Sequence, residues 1–410
     1  MKPKVYILIP TRNRYDTLRH SIQTCLNQEY ENLEILVSDN FSSDGTQNIL
    51  AEFSDGRLKY QRSDRALPML ESWEFALSFV KEPGYVHFMG DDNGITSDAV
   101  NRVIDIVNAT GLKIVQSKPI QYIWPNKQAD FGHLSIPKGD NVYIVNSSKA
   151  LRCSYRLVTG FDRMPTINAS FVHTSVIDKA RRLFEGKYFI ASNPDVCSSI
   201  VNAYFEKSYA YLEKPFIING ASVHSNGMQG GNNSKSAFVS DNIEGGYKYH
   251  PLFPPSKSYY LNVYEAFAKV SDVINSTKQF YRLNYTKLFN KMIAKEYNGF
   301  KRYWLYEDFK EFARLNNIAV SIPKFPETAI SQVNTLPTKR ELISLNSEGI
   351  SFFSPYLPFK NVNDVAIFCT DCLSEKKLLP VNYYRIDILE RCKRFFIYRI
   401  LYGASVKKMT

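Results

Sequence analysis

The chain of 410 residues has no run of 18 consecutive apolar residues, the length a helix needs to cross a bilayer. Its opening, MKPKVYILIP, is too short an apolar stretch for a signal peptide and has no cleavage-site pattern. Cysteine is scarce and scattered. Of Cys25, Cys153, Cys197, Cys369, Cys372 and Cys392, only CTDC at 369–372 has a pairing-like spacing. One such pair, with no second pair and no βαβ frame around it, reads as reduced thiols rather than as a metal or redox site. No internal repeat and no low-complexity tract interrupts the chain, and no recognised nucleic-acid module accompanies its basic residues. These absences set the expectation of a cytoplasmic globular protein without nucleic acid as a partner.

What is present fits that class. Apolar residues make up 44% and charged residues 22%, and the length suffices for a full core and more than one domain. The net charge of +11 is unevenly placed: residues 1–250 carry +1 and residues 251–410 carry +10. A negatively charged partner is therefore to be sought at the C-terminal part.

The first 120 residues alternate strand and helix patterns. KVYILIP (4–10), LEILVSDN (33–40), LKYQRS (58–63) and YVHFMG (85–90) are short apolar runs that read as strands. Between them, 15–28 places Leu18, Ile22, Cys25 and Leu26 on one helical face, and 42–53 opens with the capping residues Ser and Asp. Segments 68–80 and 96–111 complete the helices, the last ending at Gly111. The pattern predicts an α/β fold with a mixed, mainly parallel sheet flanked by helices. From 112 to 250 the strands shorten and loops lengthen, including the Gly- and Asn-rich 226–236. PLFPPS at 251–256 marks a boundary, and helical patterns at 259–274 and 306–317 predict a mainly helical, basic C-terminal domain over 251–410.

Ligands of such sheets bind outside the carboxyl ends of the strands. Three polar clusters fall there: TRNR (11–14), SDN (38–40) and GDDN (90–93). Asp91 and Asp92 repel each other unless a cation relieves them, and a hard divalent ion such as Mn²⁺ or Mg²⁺ does so while keeping positions for phosphate oxygens. The plainer alternative is a turn that caps the helix starting at 96. Asp39 is placed to accept from a base or a ribose hydroxyl. Thr11, Arg12 and Asn13, between a strand and a helix, can face a nucleotide, and Arg65 is a further phosphate candidate. For each arginine the alternative is a solvated surface charge.

The segment ILIPTRNRYDTLRHSIQTCLNQEYENLEILVSDNFSSDGT resembles the opening of a family 2 glycosyltransferase of the GT-A fold: a strand ending in P-[ST]-x-N, a helix ending in L-x-Q, then V-x-D-[ND] before S-x-D-G-T. SWEFALSFVKEPGYVHFMGDDNG is similar to the stretch leading into that family's metal motif. The likeness covers about 4–120 and continues loosely to about 230. It implies a transferase domain over 1–250, with a nucleotide-binding half at 1–120 and an acceptor half at 121–250. It also implies an inverting, metal-dependent transfer of a sugar from a nucleotide-sugar, a UDP-sugar first of all. Pro10, Thr11 and Asn13 would line the nucleotide pocket, Asp39 would contact the base, Asp91 the ribose or metal, and Asp92 the metal. The family's general base is an acidic residue about 100 positions past the metal motif. Asp195 in SNPDVCSS stands there, with an N-terminal helix cap as its plainer role and Glu185 as the alternative base. His224 is the candidate for a late metal ligand, against a structural role. Q-x-x-R-W, the mark of processive synthases, is absent.

The tail 383–408 mixes apolar and aromatic residues with Arg391, Lys393, Arg394, Arg399, Lys407 and Lys408. It reads either as a basic interfacial helix on an anionic membrane surface, within 383–403, or as a helix docked on its own domain or on a partner subunit. The interfacial reading suits a lipid-linked glycan acceptor and peripheral attachment to the inner face of the cell membrane. By family analogy the product is a bacterial surface polysaccharide. A nucleotidyltransferase and a non-catalytic sugar- or membrane-binding scaffold are the competing readings; the first usually carries a glycine-rich loop that PTRNRYDT lacks.

Overall fold

The computed structural model describes residues 2–125, 132–223, 225, 237–256, 258–274, 284–296, 303–319, 342–346, 349–354 and 359–374. Its centre is an eight-stranded sheet in the order β3-β2-β1-β4-β10-β6-β11-β9. The parallel half is β1 (Lys4–Thr11), β2 (Leu33–Asp39), β3 (Leu58–Arg62) and β4 (Gly84–Phe88). The other half is β6 (Ile114–Ser117), β9 (Val142–Asn146), β10 (Ser170–His173) and β11 (Ser208–Leu212). β10 runs antiparallel to both β4 and β6, which makes the sheet mixed.

Period-two alternation in β1 decides which helices cover which face. Val5, Ile7 and Ile9 point to the side covered by α1 (Tyr15–Leu26) and α3 (Ala99–Thr110), packing with Leu18, Ile22, Val103 and Val107. Tyr6 and Leu8 point to the opposite side, where α2 (Met69–Leu77), α4 (Ser147–Tyr155), α5 (Thr174–Leu183) and α6 (Pro194–Phe205) lie. Beyond the short α7 (Ala237–Glu244), α8 (Tyr259–Ile274), α9 (Tyr285–Glu296) and α10 (Tyr303–Leu315) extend this second core through Phe267, Phe289 and Phe312.

A second sheet, in the order β13-β14-β8-β7-β12-β5, stands beside the first. Its strands are β5 (Gly94–Ile95), β7 (Ile120–Ile123), β8 (Gly132–Pro137), β12 (Ile217–Ala221), β13 (Leu342–Asn346) and β14 (Gly349–Ser354). The hairpin β13–β14 comes from the region that periodicity reads as mainly helical, and β14 pairs with β8. α11 (Val362–Ser374) closes this sheet, burying Val362, Val365, Ala366 and Cys369 against Ile120, Tyr122 and Ile218.

A second departure from the sequence reading lies in the first half of the chain. The helix expected over 42–53 is a 3-10 segment at Thr46–Glu52. The capping residues are used elsewhere: Asp44 accepts from Thr46 and from the backbone N–H of Tyr15, and Gly45 takes a left-handed φ of 95°. SSDG is thereby a turn that braces the start of α1.

Candidate active site

β1, β2 and β4 are parallel neighbours, so their carboxyl ends open on the same edge of the sheet. A cavity of about 650 Å³ lies there. Pro10, Thr11 and Arg12 border it from the end of β1, Asn40 from β2, and Asp91 from the turn after β4. Arg14, Arg65, Trp73 of α2, Glu244 and Gly245 complete much of the wall. Five of the residues singled out from sequence, Pro10, Thr11, Arg12, Arg65 and Asp91, therefore share one cavity.

Asp91 is 13% exposed at its side chain. Its Oδ2 accepts from the Thr11 hydroxyl at 2.8 Å, and Arg14 Nη1 stands 3.8 Å from Oδ1. Burial pushes this carboxyl up to about 7. The Arg14 guanidinium opposes the rise, and the negative charge of Asp92 adds to it. The backbone O of Asp91 accepts from Ser21 Oγ at 2.9 Å, which pins the turn to α1.

Asp92 is held by a different set of partners and does not itself border the cavity. Its Oδ2 accepts from the Ser222 N–H at 3.2 Å, from the Ser222 hydroxyl at 2.8 Å, and from the Ser225 hydroxyl. Its backbone O accepts from Trp124 Nε1 at 2.9 Å, and Asn93 Oδ1 accepts from the Gly220 N–H at 2.9 Å. The GDDN turn is thus clamped between the two sheets, and Asn93 holds β12 by its side chain.

Asp39 does not border the cavity. Its side chain is fully buried and its oxygens are filled by Ser42 N–H at 2.9 Å, Tyr60 hydroxyl at 2.5 Å and Arg62 Nη1 at 3.3 Å. Burial, with the carboxylate beside it, pushes the Tyr60 hydroxyl up to about 12, so it stays a donor. Asn13, at a left-handed φ of 54°, ties two loops: its N–H donates to Ser42 Oγ at 2.9 Å and its Oδ1 accepts from Ser43 N–H at 2.7 Å. Arg65 faces Glu71 at 3.0 Å, an exposed pair of small energetic weight.

Asp195 lies in the first turn of α6, after Pro194, and accepts from the Val196 N–H at 2.7 Å. Burial pushes its carboxyl above the ordinary range. It does not border the cavity, nor does Glu185, which is exposed in the turn after α5 at a φ of 52°. His224, the loop 226–236 and the tail 383–408 lie outside the described residues. Sequence reasoning missed Asn40, which accepts from Leu67 N–H at 2.7 Å and so holds the cavity's 65–67 wall, and it missed Arg14, Ser222 and Ser225. Arg14 and Asn40 stood inside the quoted TRNR and SDN clusters; nothing local marked the serines.

A mixed α/β sheet that gathers paired carboxylates and arginines at its parallel strand ends has the layout expected from the sequence's likeness to the GT-A fold. The model of the family described as Glycosyl transferase family 2 matches residues 6–159 of this chain. It is 26% identical over 226 residues to the GalNAc(5)-diNAcBac-PP-undecaprenol beta-1,3-glucosyltransferase of Campylobacter jejuni, covering 53% of this chain and 64% of that protein. It is 34% identical over 89 residues to WfgD of Escherichia coli, a UDP-Glc:alpha-D-GlcNAc-diphosphoundecaprenol beta-1,3-glucosyltransferase, covering 22% and 35%. The chain thus matches less than two thirds of the length of these relatives. Residues 1–349 of TarS from S. aureus, solved with UDP-GlcNAc, are similar at 12% identity and a TM-score of 0.46, over 85% of this chain and 98% of that one.

Proposed function

We propose that this chain is a glycosyltransferase that moves a sugar from a UDP-sugar to a lipid-linked glycan, with inversion at the anomeric carbon, in the making of a surface polysaccharide. The observation that carries this reading is the Asp91–Asp92 pair, with Asp91 facing a cavity of about 650 Å³ walled by Arg12, Arg14 and Arg65. That volume suits a nucleotide-sized ligand, and the arginines suit its diphosphate.

The donor set fits a hard divalent cation. Two adjacent carboxylates, one of them raised to about 7 by burial, are short of positive charge, with one guanidinium at 3.8 Å. His224, the further ligand candidate named from sequence, together with donor oxygens and water, would complete the shell. Asp91 and Asp92 would hold Mn²⁺ or Mg²⁺, which when bound supplies charge to the departing diphosphate.

The chain's own groups do the rest. Arg12 and Arg65 hold the diphosphate, and Thr11 keeps Asp91 oriented. Asp195, its carboxyl raised by burial, takes the proton of the acceptor hydroxyl, which attacks the anomeric carbon from the face opposite the nucleotide. We read 1–250 as the transferase unit and 251–410 as its basic companion. Among the described residues no helix is long and apolar enough to cross a membrane. The basic tail is the segment proposed to meet an anionic surface. The activities of the relatives put UDP-glucose first among donors to try, and undecaprenyl-diphosphate glycans first among acceptors.

A thermal-shift and hydrolysis screen of UDP-, dTDP- and GDP-sugars with Mn²⁺ tests the reading. We expect stabilisation and slow hydrolysis with at least one UDP-sugar. A chain that neither binds nor hydrolyses any of the panel is not a glycosyltransferase.

A further inference from the structure

The geometry points to Ser222 and Ser225 as positioning residues for Asp92. They occupy its Oδ2 and so leave Oδ1 alone to meet a divalent cation. This rests on the reading that Asp92 holds the cation.

Three donors converge on one oxygen: the Ser222 N–H, the Ser222 hydroxyl and the Ser225 hydroxyl. Among the described residues no donor reaches Oδ1. The two serines form a single unit, since the Ser225 N–H donates to the Ser222 carbonyl at 3.0 Å and the Ser222 N–H also reaches Ser225 Oγ at 2.8 Å. That turn follows β12, whose register is locked to the same motif by Gly220 and Asn93. The Asp92 backbone is held independently by Trp124. With the backbone fixed, the carboxylate keeps only the two torsions of its own side chain, and the serines hold them.

Gly90 gives this turn its room. A Cβ built there would lie 3.0 Å from Asn93 Nδ2 and 3.4 Å from Asp92 Oδ1, so the missing side chain lets both residues keep their places. A carboxylate with both oxygens open can swing or bind in a bidentate manner; one with Oδ2 saturated presents a single oxygen in a fixed direction. Hydrogen-bond partners of a metal-binding carboxylate raise affinity in this way, typically by about 10–100-fold.

The test is a titration of Mn²⁺ into the full chain, followed by the paramagnetic resonance of the free ion, with and without UDP. The parent, Ser222→Ala/Ser225→Ala, Ser222→Thr and Asp92→Asn chains are compared, with circular dichroism and thermal melting to confirm folding. The double variant should bind Mn²⁺ about 10–100-fold more weakly while melting as a folded protein. Ser222→Thr, which keeps a hydroxyl, should retain most of the affinity, and Asp92→Asn should lose it. Parent-like affinity in the double variant, alongside loss in Asp92→Asn, overturns the role of the serines alone. Undiminished binding by Asp92→Asn, or none by the parent chain, sinks the Asp92 reading itself and the serines' role with it.

Discussion

Glu74 Oε1 accepts the backbone N–H groups of both Tyr188 and Phe189, at 2.6 and 2.7 Å. Its other oxygen faces Arg181 Nη2 at 3.3 Å. This one carboxylate ties α2, whose Trp73 borders the cavity, to the segment that runs on to Asp195. Trp73 reinforces the tie, stacking on Phe88 at 4.8 Å and meeting Phe189 edge-on at 5.4 Å. Glu74→Ala leaves two backbone donors unpaired beside buried aromatics and should cost about 2–3 kcal/mol. Glu74→Gln keeps an acceptor oxygen and should cost about half as much. Urea denaturation measures both; an alanine variant within about 0.5 kcal/mol of the parent would show that water satisfies those donors.

Gly220 passes so close to the metal-motif turn that a Cβ there would sit 1.8 Å from the backbone O of Asp92 and 2.8 Å from Trp124 Nε1. Neither atom is the far end of a flexible side chain, so β12 itself must shift. Gly220→Ala should cost about 1–3 kcal/mol through overpacking, and it should break the Asn93 and Ser222 contacts that depend on the strand's position. Gly56, which has open space around its position, is the control: Gly56→Ala should leave stability nearly unchanged. Equal melting temperatures for the two variants would refute the close approach.

The contrast between these sites explains what could be read in advance. β1, β2, β4 and their helices came from local periodicity, because each buries an apolar face that repeats within a few residues. Thr11, Arg12, Arg65 and Asp91 were visible for the same reason: once strand ends are located, the residues that follow them are neighbours in space. Asp39 sits at such an end too, but its side chain turns inward to Tyr60 and Arg62, and backbone position alone does not give a rotamer. Ser222 and Ser225 meet Asp92 across about 130 residues, so no local pattern foretold them. The hairpin β13–β14 was hidden likewise, since its pairing with β8 spans over 200 residues of chain.

α11 lies far along the chain yet covers the sheet that carries Trp124 and Gly220. Val365 is fully buried there, among Ile120, Tyr122 and Ile218. Asn363 Oδ1 accepts from the Asn27 side chain at 3.1 Å, and Thr370 Oγ1 from the Ser97 N–H at 3.1 Å, so the helix also touches the end of α1 and the segment before α3. Val365→Ala should cost about 2 kcal/mol, toward the low end for large-to-small core changes. Ending the chain at residue 340 should weaken donor binding along with stability, read by thermal shift with the hit from the nucleotide-sugar screen. Full donor affinity in the shortened chain would mean that the second sheet holds Asp92 without this cover.

His87 gives the fold a defined response to acid. It lies fully buried on β4, its Nδ1 3.0 Å from the Ser170 carbonyl and its ring stacked on Phe171 at 4.9 Å. Burial lowers the imidazole to about 4, against about 6.5 in the unfolded chain. The unfolded state therefore takes up a proton between pH 6.5 and 4 that the folded state refuses. The contribution of this group is complete above pH 6.5 and is lost progressively as pH falls toward 4, to a limit of about 3 kcal/mol. His87→Phe gives up the hydrogen bond to Ser170 and should be less stable at pH 7.5, but it has no proton to gain. Urea midpoints taken from pH 7.5 down to 4.5 should fall more steeply for the parent than for the variant, other histidines being common to both. Parallel curves would place the acid sensitivity elsewhere and show that the folded protein admits a charged imidazole at this position.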